Sequence, residues 1–138
     1  MSLSLLPLLR WSAVFAICAV TSATRADPRA DYLLHCGGCH LADGRGAPPD
    51  VPTLISTLGP IVASQEGRDY IVRVPGASQT PLTDEQLAQV MNWVLTNLNA
   101  NTLAANFRPL TGNEVGKARQ RVLADPVRLR KTLWPEYD

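Results

Sequence analysis

Cys36-Gly37-Gly38-Cys39-His40 sets two thiols and an imidazole within five positions. Two thiols three positions apart on a helix-like turn can each bond one vinyl-derived carbon of a porphyrin. The next residue can then swing its imidazole under the iron. The pattern C-x-x-C-H is thus an attachment signature for one covalent haem c, with Cys36 and Cys39 as anchors and His40 as proximal iron ligand. Three other chemistries use part of this pattern. A disulfide oxidoreductase also carries C-x-x-C, but needs a strand leading into it and a βαβ pattern after it. A structural zinc site needs four ligands, and here His35, Cys36, Cys39 and His40 crowd into six positions with no second C-x-x-C. A plain Cys36–Cys39 disulfide leaves His40 without a role.

The elements around the motif favour the haem. Asp27-Pro28 pairs an N-cap with a proline at the first helical position, so a short helix leads into Cys36. Residues 41–81 are loop-rich, punctuated by Ala47-Pro48-Pro49-Asp50, Gly59-Pro60 and Pro75-Gly76. Short helices are expected from Pro60 to about Ser64 and around residues 67–71. Thr83 with Gln86 forms a capping box. Leu87, Val90, Met91, Val94 and Leu98 then recur at three- and four-residue steps, which predicts a helix from Thr83 to about Asn99.

Composition sets the frame. The chain has 138 residues, a net charge of +1 and three cysteines. No basic excess serves a nucleic-acid backbone, and three cysteines make no disulfide scaffold. Residues 1–26 read as a secretory signal: Arg10, an apolar stretch from Trp11 to Val20, then small and polar residues, with a cut near Ala26. That apolar stretch is too short for a membrane span, and none is expected in the mature chain. Cleavage implies a periplasmic protein.

From residue 27 to about 99 the chain resembles a class I c-type cytochrome. The resemblance rests on C-x-x-C-H, Tyr32 four positions before it, the loop Asp43-Gly44-Arg45-Gly46, Pro52-Thr53-Leu54, the helix opening Leu82-Thr83-Asp84-Glu85-Gln86-Leu87, and Trp93. It implies an all-α fold in which Tyr32 and Trp93 pack where the first and last helices cross. It implies that a carbonyl of Pro48, Pro49 or Pro52 accepts the N–H of His40. Arg68 and Arg73 are candidate partners of the haem propionates, with ordinary solvated arginines as the alternative.

One departure stands out. The family closes the sixth iron position with a methionine in a loop before the last helix. Here that loop, Val74 to Pro81, holds neither methionine nor histidine, and Ala77 falls near the ligand's place. Met91, the one methionine beyond residue 26, is the distal candidate, with core packing as its competing role. His35 would have to reach the opposite face of the ring. Lys117 and Lys131 would need the C-terminal segment to fold over the haem. An open position is the remaining option.

Residues 101–138 exceed the usual family length. Thr111 with Glu114 reads as a second capping box, opening a helix to about Ala124. Asp125-Pro126 opens another, through about Leu133. Lys117, Arg119, Arg121, Arg128, Arg130 and Lys131 cluster here, either on a solvated helical hairpin, or as a docking surface for an acidic redox partner, or on a segment that covers the haem edge on the Ala77 side. The expected organisation is a signal over 1–26, a small cytochrome c-like haem domain over 27–100 and a C-terminal helical extension over 101–138 packed on it. The expected role is one-electron transfer between periplasmic redox proteins, as a carrier more than as a stand-alone enzyme. The alternatives are a haem protein whose sixth site takes a small ligand, and a haem subunit of a larger redox enzyme.

Overall fold

The computed structural model describes residues 27–135, so the signal expected over 1–26 lies outside the described residues. The described chain is all-α. Its helices are α1 (Pro28–His35), α2 (Gly37–His40), α3 (Leu58–Ile61), α4 (Gln65–Arg73), α5 (Pro75–Ser78), α6 (Asp84–Leu98), α7 (Gly112–Arg119) and α8 (Pro126–Leu133). The only ladder among the described residues is an isolated bridge between Ala47 and Val51. No described helix is long and apolar enough to cross a membrane.

Local chemistry starts the helices where the sequence indicates. The Asp27 carboxylate accepts from the Arg29 N–H ahead of Pro28. Thr83 and Gln86 complete the reciprocal capping box of α6. Asp125 accepts from the Arg128 N–H ahead of Pro126.

The central element is α6. Leu87, Val90, Val94 and Leu95 are buried on it, and α1 crosses its back. At that crossing Tyr32, fully buried, meets Trp93 with ring centroids 5.2 Å apart and planes tilted by 38°. The Tyr32 hydroxyl donates to the Leu41 carbonyl at 2.7 Å, which anchors the chain just past the C-x-x-C-H segment.

α6 ends on Asn99, a residue with no solvent exposure. Its amide oxygen accepts from the N–H groups of Thr57 and Leu58, each at 2.8 Å. Its amide nitrogen donates to the carbonyls of Leu54 at 2.8 Å and Val94 at 3.2 Å. Asn99 stops the helix and ties the loop entering α3 to it.

The residues beyond 100 fold back onto α4 and α6. Asn92 exchanges two hydrogen bonds with the backbone of Leu110, at 2.9 and 2.8 Å. α7 then lies against α6 and α4, and α8 against α4. Here two expectations fail. The helix opened by Thr111 ends at Arg119 rather than near Ala124. Thr111 caps it, but the Glu114 carboxylate turns away to Arg68, meeting Nε at 2.6 Å and Nη2 at 2.8 Å. The Arg68 Nη1 also donates to the Arg108 carbonyl at 2.7 Å. This guanidinium holds the Glu114 carboxyl below the usual carboxylate range, and the carboxylate raises Arg68 in return.

Candidate cofactor site

α1 runs into Cys36, which caps both α1 and the short turn α2 that carries Cys39 and His40. Both thiols are free, Cys36 half-buried and Cys39 exposed. Burial pushes the Cys36 thiol up, with Cys39 adding to the shift. Among the described residues no three His, Cys, Asp or Glu side chains gather into a metal-binding group.

The His40 ring is oriented by a single bond. Nδ1 lies 2.9 Å from the Pro52 carbonyl. A carbonyl only accepts, so Nδ1 carries the proton and Nε2 keeps its lone pair. Of the three prolines the sequence left open, Pro52 makes this contact. Burial pushes the imidazole down, and the bond to Pro52 pulls partly back. The ring is thus held neutral, the state that can bind a metal.

The loop that delivers Pro52 is tightly built. Gly46 has φ of 63°, and a Cβ there would sit 2.5 Å from the Pro52 carbonyl oxygen and 2.6 Å from that of Val51. Its N–H donates to the His40 carbonyl at 2.9 Å. Gly44, at φ 85°, accepts from the Leu54 N–H at 2.8 Å. Both glycines stand where an L side chain is strained or has no room.

Cys36, Cys39 and His40 border a cavity of about 370 Å³, within the range of small-molecule and cofactor sites of roughly 300 to 1,000 Å³. Leu58, Ile61, Tyr70, Ile71, Val90 and Val94 line its apolar interior. Val74, Pro75, Gly76 and Ala77 form another wall. The fit to a haem is good: two thiols and a neutral imidazole at one edge of an apolar space.

The structure also places the other candidates. Met91 borders the cavity and packs against the core; His35 lies at the cavity edge, half-buried. Lys117 and Lys131 do not line it. Arg68 and Arg73, the candidate propionate partners, do not line it either. Arg68 is spent on Glu114, and Arg73 donates to the carbonyls of Arg121 at 2.9 Å and Val122 at 3.0 Å. The arginine that does line it is Arg130, on the face of α8 that also brings Val127 and Trp134. The three-, four-residue spacing of 127, 130 and 134 carried that signal, but nothing in it names the surface α8 would meet.

Two proteins called cytochrome c-552, both from Thermus thermophilus, each align with 30% identity over 124 residues, covering 72% of this chain and 95% and 84% of their own lengths. The chain belongs to the cytochrome c family. No family model matches it. In this cytochrome α1, α6 and the Tyr32–Trp93 contact frame the cavity from behind, while the loop of residues 41–56 presents Pro52 to His40 from the front.

Proposed function

We propose that this cytochrome is a periplasmic, monohaem, class I electron carrier that holds its haem through thioethers to Cys36 and Cys39, with His40 as proximal iron ligand. The observation that carries this is the His40 ring, bonded through Nδ1 to Pro52 with Nε2 bare, beside two free thiols at the edge of an apolar cavity.

The haem iron, when bound, supplies the one-electron couple. The protein's own residues do the rest. Pro52 fixes the imidazole tautomer and its plane, which sets the donor strength of Nε2. Leu58, Ile71, Val90 and Val94 keep water from the cavity, and a dry, rigid surround reorganises little when charge changes. Cys39 and Leu34 are exposed beside it, so one edge of the site opens to the surface, where a redox protein can approach.

In this reading residues 1–26 are the export signal, cleaved near Ala26, residues 27–100 are the haem domain and residues 101–138 are an extension packed on it. A second reading has its own support. Val74, Pro75, Gly76 and Ala77 carry no side-chain nitrogen, oxygen or sulfur to the cavity, which favours an open or weakly held sixth position.

The test of the first reading is attachment. Purified from a host with haem-maturation machinery, the chain is expected to keep its haem through denaturing electrophoresis. Cys36→Ala with Cys39→Ala is expected to lose it on acid–acetone extraction. Haem that leaves the unsubstituted chain under that treatment would sink the covalent assignment. Fractionation of the same host, with the haem band in the periplasmic extract, tests the export claim.

A further inference from the structure

The segment between α4 and α6 is the least regular wall of the cavity. It contains only the four-residue α5, and its middle, Val74 to Ala77, faces the cavity with carbon alone. Such a wall needs something to hold it. The structure supplies two ties, both from residues beyond 100.

The stronger tie is Arg119, at the end of α7. Its Nε and Nη2 donate to the Ser78 carbonyl at 3.1 and 3.0 Å, and Nη2 also donates to that of Thr80 at 2.9 Å. Nη1 donates to the Leu82 carbonyl and meets the Asp84 carboxylate, each at 2.9 Å. All three guanidinium nitrogens are engaged, on three carbonyls and a carboxylate spread over seven residues. The side chain is only 17% exposed. A planar fork with fixed donors suits this, and a lysine would not replace it. The second tie lies at the other end. Arg73 donates to the carbonyls of Arg121 and Val122, just past α7. The carbon-only stretch 74–77 is held between the two.

The other walls agree. α8 closes over the cavity with Val127, Arg130 and Trp134. Met91 borders the cavity while packing against the buried core.

We infer that Arg119 is a positioning residue that fixes the wall of residues 74–82 from outside, so that the sixth position of a haem seated on His40 stays open to a small diatomic ligand, with Met91 serving as core packing. This rests on the haem reading above and deepens it. In a chain whose wall residue bonds the iron, that bond pins the wall. Here a guanidinium pins the wall instead, so residues 74–77 would not be needed as a ligand to a bound haem iron.

Carbon monoxide is the probe, used on the purified haem-loaded full chain. The reduced protein is expected to bind it with a clear shift of the main absorption band. Met91→Leu is expected to leave the spectrum unchanged and the affinity within about twofold. Arg119→Gln is expected to change the carbon monoxide association rate by about fivefold or more, with helical content kept and amide exchange over 74–82 accelerated. Should that variant not fold, Arg119→Lys, which keeps the charge and loses the fork, takes its place with the same expected direction.

A reduced, haem-loaded protein indifferent to carbon monoxide would overturn the open site. So would a Met91→Leu chain that turns from low to high spin. An Arg119 variant with the parent's association rate and exchange pattern would overturn the positioning role. A chain with no covalent haem is seen at once from its absorption, and would remove the reading beneath the inference as well.

Discussion

His40 shows how much a single contact decides. An imidazole has two nitrogens, and only the state with one proton binds iron. The Pro52 carbonyl 2.9 Å from Nδ1 chooses which nitrogen keeps it. That carbonyl stands where it does because Gly46 leaves room for it. In Gly46→Ala the new methyl would collide with the carbonyls of Val51 and Pro52, at a φ that L residues rarely adopt. The expected cost is about 2 kcal/mol. Urea denaturation of the haem-loaded chain checks it, and the same variant should show a shifted midpoint potential as Pro52 is displaced. The C-x-x-C-H motif was legible because it is local: five consecutive residues hold it. The partner of His40 was legible only as a choice of three prolines. The path of a loop depends on where Gly44 and Gly46 bend it, and on what it then meets.

At the scale of elements, the same division between local and distant contacts recurs. The Thr83–Gln86 box and the buried stripe of α6 could be read directly, since each spans a few turns. The Thr111 cap could be read too, but the fate of Glu114 could not. Its partner Arg68 lies 46 positions away, and a charge-assisted pair in a half-buried setting outweighs a cap at the helix start. That pair makes stability depend on pH. The Glu114 carboxyl titrates below its ordinary value when folded. Its contribution is therefore complete above the ordinary carboxylate range, and is lost as pH falls through the lowered value. Glu114→Gln should cost about 2 kcal/mol at neutral pH. Its stability should also fall less steeply than the parent's on acidification below about pH 4. Denaturation curves at several pH values check both. The sequence marks Asn99 only as the end of α6, yet its amide satisfies two N–H groups and two carbonyls. Asn99→Ala strands them and is expected to cost roughly 3 kcal/mol, measured as a lowered urea midpoint.

Over the whole molecule the cavity dominates the energetics. An apolar space of about 370 Å³ takes much of the packing that a core of this size would otherwise have. A domain of this size has only about 5 to 15 kcal/mol in total. The chain in which Cys36→Ala and Cys39→Ala prevent attachment is therefore expected to lose its cooperative heat-absorption peak in calorimetry while keeping part of its helical circular dichroism. A sharp transition near that of the haem-loaded protein would contradict this. The all-α class and the crossing of α1 and α6 through Tyr32 and Trp93 came from the family resemblance, while the buried stripe of α6 was visible in the sequence itself. That residues beyond 100 pack on the haem domain was expected, but not which of their side chains do so. A run of six cations reads as a solvated surface. Two of them instead serve the cavity: Arg119 on its wall and Arg130 on its lining, while Arg121 pairs with Asp69 at the surface.

The placement of α8 also imposes an order in time. The C-x-x-C-H residues lie at 36–40, but the cavity they border is also lined by Val127, Arg130 and Trp134, nearly a hundred residues later. A ribosome delivers residues 36–40 long before α8, so a porphyrin can meet the two thiols before the last wall is in place. Maturation is thus expected to run from the amino end: thioether bonds first, the wall of residues 74–82 next, α8 last. Pulse-labelled chains chased without haem and then supplied with it should show that competence for attachment decays as the C-terminal helices dock.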